Sequence, residues 1–148
     1  QALLAGAAVD RGLRARLERP TPRVEAGRAL LGLAHACIDV SDGLLADLGH
    51  VCARSGVGAR IEREALPLSA ALARFDPELR WPWQLAGGDD YELCFTAPAS
   101  AHDAIARAMD LIGQQATPIG RIVEGSGVAV LDAAGRPWQP PRAGYAHF

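Results

Sequence analysis

The sequence predicts an α+β domain, a mixed β-sheet with helices packed on it. Short apolar runs of strand character alternate with stretches whose apolar residues recur at helical spacing. The last two runs, residues 119–123 and 128–131, are separated by Glu124-Gly125-Ser126-Gly127, a hairpin signal, so an all-parallel sheet fits poorly. At 148 residues the chain is long enough for one domain with a core of its own.

In chain order, residues 1–19 carry Leu3, Leu4, Ala7, Leu13 and Leu17 at roughly helical spacing, and Pro20-Thr21-Pro22 ends that pattern. A second helix is expected over residues 24–35. The apolar run Cys37-Ile38-Asp39-Val40 reads as a buried strand that feeds a helix with Leu44, Leu45, Leu48, Val51 and Cys52 on one face. Ser55-Gly56 ends it with a glycine C-cap signal. Residues 59–62 read as a short strand and residues 66–75 as a short helix. Residues 76–83, rich in proline and aromatics, read as a loop. Gly87-Gly88-Asp89-Asp90 is a turn before a strand over residues 91–96. Pro98-Ala99-Ser100 starts a helix with Ala101, Ile105, Ala108, Met109 and Ile112 inward. The tail from Arg136 is expected to be ordered only by packing.

Composition narrows the function classes. A formal net charge of −2 lacks the basic excess that nucleic acid or an anionic membrane surface would select. No apolar run approaches the ~20 residues that cross a bilayer. Cys37, Cys52 and Cys94 are odd in number and set in apolar runs, as expected of buried free thiols in a reducing, cytoplasmic setting. The four histidines show no metal-ligand spacing. All 15 basic residues are arginine, which excludes a Walker-type lysine loop. The chain opens at Gln1 inside a helical pattern, so a fragment of a longer protein is expected.

The segment Asp39-Val40-Ser41-Asp42-Gly43 concentrates the chemistry. It places two carboxylates and a hydroxyl at a strand-to-helix junction, where free N–H groups attract phosphate and carboxylates can hold Mg²⁺. A plain helix cap is the competing reading. Asp39, inside the strand end, favours the site, because a cap needs no carboxylate there. Gly87-Gly88-Asp89-Asp90 lets a backbone approach a ligand and follows it with carboxylates, although an aspartate-stabilised turn explains it as simply. Glu92, alternating with Leu93, reads as a solvated face. Gly144-Tyr145-Ala146-His147-Phe148 reads either as packing on the core or as a stacking wall for a flat heterocycle.

Taken in order, Pro20-Thr21-Pro22-Arg23, Ile38-Asp39-Val40-Ser41-Asp42-Gly43-Leu44, Leu66-Pro67-Leu68-Ser69, Gly87-Gly88-Asp89-Asp90-Tyr91-Glu92-Leu93 and the closing Gly144-Tyr145-Ala146-His147-Phe148 resemble the C-terminal domain of bacterial thiamine-monophosphate kinases, in the superfamily of aminoimidazole ribonucleotide synthetase and selenophosphate synthetase. The resemblance covers almost the whole chain. It implies helices on both faces of the mixed sheet (α/β/α layers) and transfer of the ATP γ-phosphate to thiamine monophosphate, giving thiamine diphosphate. It implies Mg²⁺ at Asp39 and Asp42, ATP at Ser41, and the thiamine substrate at Asp89, Tyr145 and Phe148. The family usually has Glu where this chain has Asp89. The resemblance also implies that an N-terminal domain carrying most Mg²⁺ and ATP ligands and the homodimer interface lies outside residues 1–148, and that the isolated chain is nearly inactive. Such transfer works by positioning and charge neutralisation. The acceptor phosphate needs no strong base, so no proton-transfer residue is assigned. With no lysine, Mg²⁺ and arginines such as Arg23 must offset the charge. The alternatives are an ATP-dependent synthetase or maturation protein of the same superfamily, or a non-catalytic ligand-binding domain.

Overall fold

The computed structural model describes residues 14 and 18–139. The helix expected over residues 1–19 lies almost wholly outside the described residues, as do Tyr145 and Phe148. The described chain runs α1 (Val24–Ala29), β1 (Ala36–Val40), α2 (Leu44–Ser55), β2 (Gly58–Glu62), α3 (Pro77–Ala86), β3 (Glu92–Thr96), α4 (His102–Leu111), β4 (Gly120–Val123), β5 (Gly127–Leu131) and β6 (Pro137–Trp138).

The strands form two sheets. β1 and β3 make an antiparallel pair, with Asp39 opposite Leu93 and Cys37 opposite Phe95. The second sheet has the order β4-β2-β5-β6, with β2 and β5 parallel and the other pairings antiparallel. The expected hairpin between β4 and β5 does not form. β2 lies between them, and Gly58 at its start stands opposite both Val123 and Gly127. The connecting residues cross the end of β2, where a Cβ on Gly58 would meet the Ser126 nitrogen at 3.3 Å. Glycine lets the connection pass that close, so a turn signal that reads as a tight hairpin here spans an inserted strand.

Two apolar clusters sit on either side of the small sheet. Val40 and Cys94 face a core with Leu44, Leu48 and Cys52 of α2, Ala59 and Ile61 of β2, Val130 of β5 and Leu85 of α3. From the other face of β3, Leu93 and Phe95 pack against Ala26 and Leu30 and against Ile105 and Met109 of α4. Helices therefore cover both faces of β3, which agrees with the layered α+β expectation.

Several local expectations change. α1 stops at Ala29 rather than residue 35, giving way to turns through Leu33. Between residues 66 and 75 only Leu72–Arg74 is helical, as one 3₁₀ turn. Residues 77–86 form α3 instead of a loop. Asp76 is its N-cap, accepting from Glu78 N at 2.8 Å, and Pro77 takes the first turn, where its missing N–H costs nothing. Pro82 is tolerated inside that helix. The tail begins with a strand, since Pro137–Trp138 pair with β5, and Trp138 meets Trp81 edge-on at 6.3 Å while Arg63 stacks 3.5 Å over the Trp81 ring. Gly56 ends α2 in the left-handed region, φ 64°, as its sequence predicts.

Candidate functional site

β1 alternates strictly. Ile38 and Val40 point to the core, while Cys37 and Asp39 lie on the opposite face and are exposed. The register puts Asp39 on the same face as Leu93. That face is covered over β3 by α1 and α4 and open over β1, so Asp39 stands at the rim of the covered region. The Cys37 thiol beside it is raised, first by burial and then by the Asp39 charge. Cys37 is exposed overall and its sulfur only partly desolvated, contrary to the expectation of three buried thiols; Cys52 and Cys94 are buried.

After Val40 the chain turns through Ser41 and Asp42 into α2. The N-cap is Gly43, at φ 112°, so neither Ser41 nor Asp42 occupies the capping position. A Cβ on Gly43 would meet Ala86 backbone atoms at 3.0–3.1 Å, and only glycine supplies both the dihedral and the space.

Two N–H groups at this junction are turned inward. Ser41 N donates to Asp47 Oδ2 at 2.9 Å and Asp42 N donates to the same oxygen at 3.1 Å. Asp47, in the first turn of α2, is 3% exposed and is the one buried charged residue among those described. Those two amides are therefore engaged within the chain. Sequence reading passed over Asp47, although a signal existed: Leu44, Asp47, Leu48 and Val51 follow the i, i+3, i+4, i+7 pattern of a buried helix face, and one member is a carboxylate.

The second candidate loop closes onto the first. Asp89 N donates to Ser41 O at 2.9 Å and Tyr91 N donates to Val40 O at 3.0 Å, continuing the β1–β3 pairing beyond its ends. Asp89 and Tyr91 both have positive φ, 64° and 52°. Such a conformation is unusual for a bulky side chain and occurs often at ligand-binding segments. A Cβ on Gly88 would sit 2.5 Å from Ser41 O, and one on Gly87 would run into the Trp83 carbonyl oxygen. Gly88 is therefore required by the close approach of the two loops, and Gly87 by the end of α3. Asp39, Ser41, Asp42 and Asp89, read separately from sequence, fall within one hydrogen-bonded unit. Tyr91 Oη reaches Asp89 Oδ1 at 3.5 Å.

Arg23 is paired with an acid of β3. Its Nε and Nη2 donate to the two oxygens of Glu92 at 2.9 and 2.8 Å, a bidentate pair that ties the segment before α1 to β3. Hydrogen bonding to Glu92 raises the guanidinium further. Glu92 is accordingly an ion-pair partner rather than a purely solvated residue.

With their own N–H groups turned inward, Ser41 and Asp42 offer a hydroxyl and a carboxylate. Mg²⁺ takes hard oxygen ligands, commonly one or two carboxylates completed by waters and phosphate oxygens, and the donor set of Asp39 and Asp42 fits that chemistry. Among the described residues no three His, Cys, Asp or Glu side chains gather into a complete metal cluster.

The family model for AIR synthase related protein, C-terminal domain, matches residues 5–133. The chain belongs to that family. As a member of the AIR synthase related C-terminal domains it is 45% identical over 131 residues to the thiamine-monophosphate kinase of Haemophilus influenzae, covering 86% of this chain and 40% of that protein. A solved thiamine-monophosphate kinase from Stenotrophomonas maltophilia superposes with a TM-score of 0.82 at 45% identity, over 87% of this chain and 44% of that one. A solved structure of AaThiL complexed with AMPPCP and TMP gives a TM-score of 0.74 at 33% identity, over 99% of this chain and 45% of that one. The chain thus spans about 40% of the length of the curated relatives it matches.

Proposed function

We propose that this domain is the C-terminal part of a thiamine-monophosphate kinase, which transfers the γ-phosphate of ATP to thiamine monophosphate and releases thiamine diphosphate. The observation that carries the reading is the joining of the Asp39–Asp42 and Gly87–Asp90 loops through Asp89 N and Ser41 O, in a chain 45% identical to such a kinase. That contact supports a site in which oxygen ligands for a cation and a substrate-facing acid are held together.

In this reading Asp39 and Asp42 hold Mg²⁺, which when bound offsets the charge of the phosphates. Ser41 Oγ donates to an ATP phosphate oxygen. Asp89 faces the cationic thiazolium, where a carboxylate is favoured by charge. A C-terminal aromatic, Tyr145 or else Phe148, stacks on the thiamine rings. Positioning and charge neutralisation account for the rate, since the acceptor oxygen already belongs to an ionised phosphate. The remaining walls belong to an N-terminal domain, and the working enzyme is a cytoplasmic homodimer.

A coupled ADP-release assay on the full-length protein tests this, comparing thiamine monophosphate with aminoimidazole-pathway substrates and selenide. Turnover specific to thiamine monophosphate is expected. Turnover with another acceptor alone would replace the reading with a superfamily synthetase, and no ATP turnover would favour a binding domain. Asp42→Ala is expected to cut turnover by a factor of 10² or more and to shift the Mg²⁺ dependence, on the order of losing a charged ligand.

A further inference from the structure

We infer that Asp47 is the positioning residue of the metal-binding loop, an assignment that rests on the kinase reading and names a further residue of that site. Burying a carboxylate is costly unless its lone pairs are satisfied, and the inner face of α2 would accept an apolar side chain at this position more cheaply. Asp47 is nevertheless 3% exposed, beside the core residues Leu44 and Leu48. What the carboxylate holds is the junction itself: Asp47 Oδ2 accepts both Ser41 N and Asp42 N. Its place in the first turn of α2 adds the favourable helix dipole.

Three consequences follow from that geometry. Turning both N–H groups inward leaves Ser41 and Asp42 to meet a ligand through their side-chain oxygens. The peptide planes of Ser41 and Asp42 are fixed from below, which sets the direction of the Ser41 hydroxyl and the Asp42 carboxylate. The orientation of Ser41 also places its carbonyl oxygen for Asp89 N at 2.9 Å, so one buried carboxylate orders both loops. Groups that orient metal ligands in this way typically change metal affinity or activity by about 10–100-fold when removed.

The test uses two readouts on Asp47→Asn, which keeps the shape and one neutral acceptor, and Asp47→Ala, which keeps neither. In metal-free protein, amide hydrogen exchange at Ser41 and Asp42 is expected to accelerate about 10-fold or more in Asp47→Asn, with β2 amides unchanged. In the full-length enzyme the Mg²⁺ half-saturation is expected to rise about 10-fold or more in Asp47→Asn, with a smaller change in kcat, and further in Asp47→Ala. Unchanged exchange at the two amides, or a loss of kcat at an unaltered Mg²⁺ half-saturation, would overturn the assignment. Should Asp47→Ala not fold, Asp47→Asn alone decides. If the unsubstituted enzyme does not turn over thiamine monophosphate, the kinase reading fails by itself, and the exchange readout still decides whether Asp47 orders the loop.

Discussion

Gly88→Ala probes the contact on which the site depends. The added Cβ would lie 2.5 Å from Ser41 O, whereas such atoms essentially never come closer than 3.0 Å. One backbone must therefore retreat by about 0.5 Å or more. Neither partner is a flexible side-chain end, so the strain falls on the loop junction. The Asp89 N to Ser41 O hydrogen bond starts at 2.9 Å and would pass beyond the usual range. Losing it costs about 0.5–1.5 kcal/mol, and overpacking costs about 1–3 kcal/mol. A combined loss of about 2–3 kcal/mol is expected. For a domain of this size that lowers Tm by roughly 5–10 °C, at about 2–4 °C per kcal/mol. Thermal and urea unfolding of the 148-residue chain, followed by circular dichroism, measure it. A Tm within about 1 °C of the parent, on that same scale, would show that the two loops are not in contact at Gly88.

Other outcomes follow from the same structure. Gly49 lies within α2 with nothing inside 4 Å of an added Cβ, so Gly49→Ala should stabilise by about 0.5–1 kcal/mol in urea unfolding. Arg63→Ala removes a guanidinium stacked 3.5 Å from the Trp81 ring and should cost about 1–2 kcal/mol, with a changed tryptophan emission. Burial pushes the Cys94 thiol up from 9.0 to about 11. Its folded form holds a proton that the unfolded chain has lost, so its contribution is complete below pH 9 and fades as pH rises towards 11. Urea midpoints across that window should fall less in Cys94→Ala than in the parent.

How much of the fold was legible depended on how local its causes were. The strand-to-helix passage at residues 37–55 could be read because apolar periodicity and the Gly56 cap lie within one segment. α3 was misread because a count of prolines and aromatics outweighed the Asp76-Pro77 start signal that forms it. The failed hairpin is a different case. Glu124-Gly125-Ser126-Gly127 does reverse the chain, and whether the flanking strands touch depends on β2, about sixty residues earlier in sequence, entering between them.

The candidate site divides in the same way. Residue types and short spacings by themselves marked Asp39, Ser41, Asp42 and Asp89 as candidates for oxygen-ligand chemistry, because a carboxylate brings its chemistry wherever it is placed. The tertiary structure decided which way the backbone faces. It turned the Ser41 and Asp42 N–H groups to the buried Asp47, paired Arg23 with Glu92, and set Gly88 against Ser41 so that two loops became one unit. Hydrogen-bond direction and close backbone approach are properties of segments far apart in sequence and packed together, so no reading of one segment could have supplied them.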